Sequence, residues 1–436
     1  MVPRRVLPFG PVPKLAQALD LPDELWRIIM FMAFTGNHPI RHPRDVPLFT
    51  RKRRMPDYPA RAYIPHLAIS KRLFALAKEA YCSQIHVTLG NADNCFAVER
   101  MTPGQIFAWI HRHPDVVSYV RDLDLTLGPI WGDGDRFISF SIVFLMAIFP
   151  KLKKLAVTGL KCRKEEPFGH VARLPLTLRS LSLQLCALSV QNMAVILSRL
   201  PLSEFILDHI QLDGAPWSAF VHGNCPTLRK LDYTDTSSAL ITHSLSKSPA
   251  LQALTLSLIK WDELEAEDML QALPKTIRML DMTFHDLKAD EPKTLAILQF
   301  ASQVVSAAPL PFLSDLHLYF WLKGVDASSL KQALLQCCRS ATQVESLYIA
   351  SSLDEGNASL SVLEDKKVAI YTSLAQVLSS TQVLPQLETF SIENIGSQPS
   401  GPAFHVGLMQ AVLNSHRHLI LPDGKPWKLS TFIRAT

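Results

Sequence analysis

In the stretch LPLTLRSLSLQLCAL, apolar residues fall at Leu178, Leu181, Leu183, Cys186 and Leu188, in steps of three, two, three and two. A helix face takes steps of three and four, and a half-buried strand takes strict alternation, so neither period accounts for the run. The fragment LRSLSL recurs, with substitutions, as VRDLDL at Val120, LKKLAV at Leu152, LSEFIL at Leu202 and LRKLDY at Leu228. It continues as LQALTL at Leu251, IRMLDM at Ile277, LSDLHL at Leu313, VESLYI at Val344 and LETFSI at Leu387, which makes ten copies. Successive copies start 32, 26, 24, 26, 23, 26, 36, 31 and 43 residues apart. In most of them a proline stands one to three residues ahead of the first apolar position, as at Pro150, Pro175, Pro201, Pro226, Pro249, Pro274, Pro311 and Pro385.

Each copy predicts a short strand whose fourth and sixth positions turn inward, with the first apolar residue rounding the corner into it. Stacking such strands in parallel gives a continuous sheet, and the residues between copies return on the outer side, mostly as helix. NMAVILSRLP (Asn192 to Pro201) and EDMLQALP (Glu267 to Pro274) have the apolar spacing of those return helices. No copy buries its leucines alone; neighbours do it for one another. The expected fold class is therefore α/β.

The third, fifth and seventh positions of each copy are expected on the opposite, concave face of the sheet. Over ten copies these thirty positions include eight acids: Asp122, Asp124, Glu204, Asp208, Asp232, Asp281, Asp315 and Glu393. Only Lys154 and Lys230 are basic, so the face carries 2 − 8 = −6. His317, Tyr319 and Tyr348 are aromatic anchor candidates near its C-terminal half. A face of this kind suits a basic target, attracted in a salt-sensitive way.

Ahead of the copies stands DLPDELWRIIMFMAF, in which Asp20 or Pro22 opens a helix and Asp23 and Glu24 favour its first turn. Leu25, Ile28 and Ile29 share one apolar face. A proline-broken basic interruption, Gly36 to Pro65, separates it from a second helical stretch, HLAISKRLFALAKEAYCSQIHVTL. There Leu67, Leu73, Leu76 and Ala77 face one way, and Lys71, Arg72 and Lys78 another.

The copies resemble the leucine-rich-repeat pattern LxxLxLxx(N/C)xL. The Leu178 copy matches it in full, with Cys186 at the Asn/Cys position, where other copies place Leu160, Ile210, Thr236, Ile259 or His285. The resemblance implies an irregular solenoid with parallel strands inside and helices outside. The head resembles an F-box: Leu21, Pro22, Glu24, Leu25 and Ile28 match its LPxEL opening, and Ile69, Ser70, Lys71, Leu73 and Ala77 match its apolar–Ser–Lys segment. The family usually joins these parts by a short connection, whereas about thirty residues stand between them here.

Together the resemblances imply a substrate-receptor subunit of an SCF-type, cullin-RING ubiquitin ligase, a non-catalytic role that needs no cofactor. Leu21, Pro22, Leu25, Ile28, Ile29, Leu67, Ile69, Ser70, Lys71 and Leu73 would meet the SCF adaptor. Asp122, Asp124, Glu204, Asp208, Asp232, Asp281, Asp315, His317, Tyr319 and Tyr348 would meet the target. The alternative is a leucine-rich-repeat scaffold outside any ligase. The implied organisation is a tail (1–19), an F-box-like all-α domain (20–88) with inserted loop 36–65, a linker and cap (89–119), repeats (120–420) and a C-terminal tail (421–436).

Composition adds bounds. Hydrophobic residues at 48% and charged residues at 19% fit a globular chain. The N-terminus MVPRRVLPFGPVPK is broken by prolines, and Phe137 to Phe149 is too short to span a bilayer, so an intracellular protein without membrane association is expected. Seven cysteines form no CxxC pair and suit reduced, packed thiols. Residues 1–80 hold 14 Lys+Arg against 6 Asp+Glu, or +8, leaving −3 of the total +5 for the rest. RKRR (Arg51 to Arg54) fits either a nuclear-import signal or a solvated loop, and without interleaved aromatics it gives no single-strand nucleic-acid platform. The pairs His111/His113 and His416/His418 lack converging ligands for a metal. No phosphate loop, nucleophile elbow or zinc-protease motif is present, so no enzymatic activity is expected.

Overall fold

In the computed structural model, every one of the ten LxxLxL copies forms a strand. The structure describes residues 22–26, 71–89, 103–112, 114–127, 147–160, 174–213, 225–234, 238–258, 268–269, 271–286, 303, 310–322, 332, 335–336, 338–339, 341–352, 384–393 and 418–420. The chain divides into two units, 1–153 and 154–436.

In the first unit, residues 23–26 form a helical turn and α1 (Lys71–Tyr81) a three-turn helix. Leu73, Leu76 and Ala77, three and four residues apart, are its buried face, while Lys71 and Arg72 are exposed. The second helical stretch expected from the sequence stops at Tyr81. After a turn at Cys82 and Ser83, QIHVTL is strand β1 (Gln84–Leu89), paired in parallel with β2 (Asp122–Leu127) from Gln84↔Asp122 to Leu89↔Leu127. Ile85, Val87 and Thr88 are β-branched, and a parallel partner satisfies their backbone, which outweighs the helical continuation. Helix α2 (Pro103–Arg112) and a 3-10 turn (Pro114–Ser118) complete the described part, with Ile110, Val116, Val120, Leu123 and Leu125 buried. Two exposed ion pairs tie these pieces to α1: Lys78 to Asp115 at 2.6 Å and Arg121 to Glu79 at 3.0 Å.

The second unit is built on a sheet of ten parallel strands. In spatial order these are β3 (Lys154–Thr158), β4 (Ser180–Gln184), β6 (Glu204–Asp208), β8 (Lys230–Thr234), β9 (Ala253–Leu258), β10 (Met279–Asp286), β11 (Asp315–Leu322), β12 (Ser346–Ser352), β13 (Thr389–Glu393) and β14 (His418–Ile420). β5 (Ala187–Ser189) and β7 (Gln211–Asp213) pair separately. Strand order follows chain order, as right-handed crossovers between neighbours allow.

The register aligns equivalent positions of the copies. Position four runs as Leu155, Leu181, Phe205, Leu231, Leu254, Leu280, Leu316, Leu347, Phe390 and Leu419. From Leu155 to Leu347 that row is buried, as is position six from Val157 to Leu318. The corner residues Leu152, Leu178, Leu202, Leu228, Leu251, Ile277, Leu313, Val344 and Leu387 are buried as well. A one-residue slip would turn both rows outward, so the leucine pattern itself fixes the register. Strand length tracks copy spacing: β3, β4, β6 and β8 have five residues, and β10, β11 and β12 have eight, eight and seven.

Position eight turns the chain out of the strand. Gly159, Leu185 and His209 all have positive φ (82°, 52° and 52°), and their amides donate to Gln184, Asp208 and Thr234 carbonyls on the next strand at 2.8 Å. Glycine meets this left-handed turn without strain; Leu185 and His209 hold it against a steric cost because the hydrogen bond and the following buried residue demand it. That following residue is Leu160, Cys186 or Ile210.

The expected return helix at NMAVILSRLP is α3 (Val190–Arg199), burying Val190, Met193, Ile196 and Leu197. In EDMLQALP, Asp268, Met269, Gln271 and Ala272 are helical. Helix α4 (Ser238–Ser246) returns from β8 with Leu240, Ile241, Ser244 and Leu245 buried. It is pinned by Tyr233, whose hydroxyl donates to Ser244 Oγ at 2.8 Å from the position other copies give to an aliphatic residue. Leu231→Ala, in the middle of the buried row, would cost about 2–5 kcal/mol.

Candidate functional site

Positions three, five and seven lie opposite the buried leucines, so Glu204, Asp208, Asp232, Asp281, Asp315, His317, Tyr319 and Tyr348, read as a target face, share one face of the second unit's sheet. The register also sets them beside one another, and here most of the acids find partners. Glu204 receives Ser180 Oγ at 2.8 Å and Lys230 Nζ at 2.7 Å, all three at position three of consecutive copies. Burial alone would raise the Glu204 pKa, but the Lys230 hydrogen bond and charge, the Ser180 hydroxyl and the Lys154 charge together hold it below the ordinary carboxylate value. Asp208, at position seven, receives Gln184 Nε2 at 2.6 Å and meets His209 Nδ1 at 2.6 Å.

Position five carries the row Asp232, Thr255, Asp281, His317 and Tyr348 across β8 to β12. Asp281 is only 2% exposed, and its Oδ2 lies 3.5 Å from His317 Nδ1. The His317 ring in turn meets the Tyr348 ring, with centroids 5.3 Å apart and planes inclined at 47°. Asp232 is half-buried, as is Tyr319. Asp315 accepts from Ser314 Oγ at 2.7 Å. Asp122 and Asp124 belong to β2 in the first unit, where both are half-buried and Asp122 Oδ2 lies 3.3 Å from Gln84 Nε2.

Of the adaptor candidates, Pro22 and Leu25 are exposed, Leu25 at 46%, and Lys71 is exposed. Leu73 is buried in its own unit. Leu21, Ile28, Ile29, Leu67, Ile69 and Ser70 lie outside the described residues, as do Gly36 to Pro65 and RKRR. The two motif segments meet directly: Arg72 Nε donates to Asp23 Oδ1 at 2.6 Å, joining the LPDEL turn to α1 across 49 residues. The Pro22 carbonyl starts that turn by accepting the amides of Leu25 and Trp26, each at 3.1 Å.

Sequence reading missed Ser180, Gln184 and His209, the neutral or weakly charged partners of the acids. The signal was present: equal positions in consecutive copies become neighbours once the register is fixed. Among the described residues no three His, Cys, Asp or Glu side chains gather to hold a metal ion, and no helix is long and apolar enough to cross a membrane.

No protein-family model matches the chain. No curated protein matches it either. Among solved structures, the crystal structure of a Bacteroides fragilis protein is similar over 57% of this chain and 64% of that one, with 10% identity and a TM-score of 0.29. This chain thus spans less than two thirds of that protein's length.

Proposed function

We propose that this chain is a substrate-receptor subunit of an SCF-type ubiquitin ligase, with an F-box head for the adaptor and an irregular leucine-rich-repeat solenoid for the target. The observation that carries this reading is the pairing of LPDEL with the helix that starts at Lys71, through Asp23 and Arg72, which leaves Leu25 outward in a chain whose ten LxxLxL copies all form strands. An exposed leucine on a helix already fixed from its other side suits an apolar contact with a partner. The chain makes and breaks no bond in this role. It raises the effective concentration of a target lysine near the transferring machinery. Its setting is cytoplasmic or nuclear.

For the target, the polar face between β8 and β12 offers Asp232, Asp315, His317, Tyr319 and Tyr348, a combination suited to a basic segment with aliphatic stems to lay on the rings. The burial of Leu73 favours a second reading, a leucine-rich-repeat scaffold that joins no ligase. Capture of purified SCF adaptor by the full chain separates the two. Wild type should bind it, and Leu25→Asp should weaken binding at least tenfold with the far-ultraviolet dichroism unchanged. Absence of binding by wild type, or equal binding by the variant, rejects the F-box reading.

A further inference from the structure

The acids of the polar face are largely engaged by neighbouring strands, but another row of charges is not. Position two of each copy forms the leading edge of the sheet. Its carbonyl accepts the amides of the next strand's start: Arg179 O from Ser203 and Glu204, Arg229 O from Gln252 and Ala253, Arg278 O from Ser314 and Asp315. Position two therefore runs in register as Arg179, Ser203, Arg229, Gln252, Arg278, Ser314, Glu345 and Glu388.

Charge is segregated along this edge. From three residues before the corner residue to one after it, the copies at Leu178, Leu202, Leu228, Leu251 and Ile277 hold Arg179, Arg199, Arg229, Lys275 and Arg278 and no acid. The same positions in the copies at Leu313, Val344 and Leu387 hold Glu345 and Glu388 and no base. All five cations are exposed. Arg179 Nη1 donates to the Leu176 and Leu178 carbonyls at 2.8 and 3.0 Å, which holds its guanidinium at the edge. Among the described residues none of the five is in an ion pair.

We propose that this leading edge of β4 to β10 is a docking surface for an extended acidic polypeptide segment. Arg179, Arg229 and Arg278 recur every second strand, about 9.6 Å apart at the spacing of strands in a sheet. A segment in the extended polyproline-II form has three residues per turn and advances about 9.3 Å over them, so carboxylates three apart share a face and would meet successive guanidiniums, each able to take one by two parallel hydrogen bonds. Ser203 and Gln252 stand between the arginines at the same register. Those five copies place no aromatic residue at the edge, so the stacking platform of a single-stranded nucleic acid is absent there. Glu345 and Glu388 set the end of the surface, because they would repel the same segment beyond β10.

The test uses the full chain and a labelled (Glu-Ser-Ala)6 peptide, with poly(U) as the competing polyanion. Wild type should bind the peptide at low salt, weaken at least tenfold between 50 and 500 mM salt, and prefer it to poly(U). Arg229→Ser with Arg278→Ser, which leaves the Arg179 turn intact, should weaken peptide binding at least tenfold. Arg229→Lys with Arg278→Lys, which keeps the charge but loses the paired hydrogen bonds, should bind more tightly than the serine variant and less tightly than wild type, and Glu345→Lys with Glu388→Lys should increase the affinity. Adaptor capture should be the same in all these variants, which keeps the outcome separate from the F-box reading. The proposal is overturned if wild type does not bind the peptide, if the double serine variant binds it equally, or if poly(U) binds more tightly.

Discussion

Asp281 and His317 stand at the same register on adjacent strands, and their side chains meet at 3.5 Å with the carboxylate almost wholly withdrawn from water. The pair joins β10 to β11 where both strands are longest. Asp281 thus serves the sheet before it serves a target. His317→Ala takes a polar ring away from a buried acid and is expected to cost about 1–3 kcal/mol in urea unfolding. Asp232→Ala, on the same row but half-exposed, is expected to change stability by at most about 0.5 kcal/mol. Equal costs for the two would mean that burial does not distinguish them. Asp232 is therefore the better residue for charge-reversal assays of target capture.

Tyr233 fills the sixth position of its copy with a phenol, and its hydroxyl and Ser244 are both fully buried. Burial pushes its pKa well above that of a free tyrosine, so it donates throughout the physiological range. Tyr233→Phe leaves Ser244 Oγ without this donor and should cost about 1–2 kcal/mol, read as a lower urea midpoint. Tyr233→Phe with Ser244→Ala should recover part of that loss. A double variant as unstable as the sum of the singles would show that the hydroxyls do not act as a pair.

Glu204 is held ionised by Lys230 and Ser180, and its pKa lies below 4.5 in the folded chain. A depressed carboxylate stabilises the fold above its unfolded pKa and loses that contribution as pH falls through the folded value. Lys230→Met should therefore destabilise by about 0.5–1 kcal/mol at pH 7, and the gap from wild type should close below pH 4.5. Parallel stability curves over that window would show that Lys230 acts through packing and not through charge.

Burial pushes the thiols of Cys82, Cys186 and Cys225 up to about 11 from an ordinary 9.0. In the unfolded chain they ionise near 9.0, whereas the folded chain keeps their protons until about 11. Stability should accordingly fall between those limits, and iodoacetamide at pH 8 should leave all three unmodified until denaturant is added. Cysteine-to-alanine replacement at these positions should flatten the alkaline decline. Rapid modification of the native chain at any one of them would place that thiol outside the core.

The leucine pattern made the strands legible because a corner residue followed by two alternating apolar positions has one geometry that buries all three. β1 and β14 escaped it for the same reason. QIHVTL is preceded by Tyr81, Cys82 and Ser83, and in HRHLI the corner position is His416, so neither shows the leading aliphatic residue. β5 and β7 are three residues each and carry one inward leucine apiece, too little for a period. On the polar face the sequence supplied positions but not commitments. Glu204, Asp208 and Asp281 look alike in the copies, and only the neighbouring strand decides that each has a partner. Return helices were legible where the apolar spacing was clean, as in α3, and less so in α4, where Thr242, His243 and Ser244 interrupt it.

The corners at Gly159, Leu185 and His209 have a consequence for how such a chain changes length over evolutionary time. Each corner amide needs only a carbonyl at the end of the next strand, and the identity of that strand is immaterial. Excising residues 178–201, one whole copy, would bring the Gly159 amide opposite the Asp208 carbonyl and Leu155 opposite Phe205, with the bonding atoms of the same kind. A one-residue deletion inside a strand would instead turn the rest of that strand to the opposite face. Copies can therefore be lost or duplicated whole with little disturbance to their neighbours, while small frame-preserving deletions inside a strand are purged. The unequal intervals of this chain, from 23 to 43 residues, have accordingly accumulated between the strands and not within their shared core.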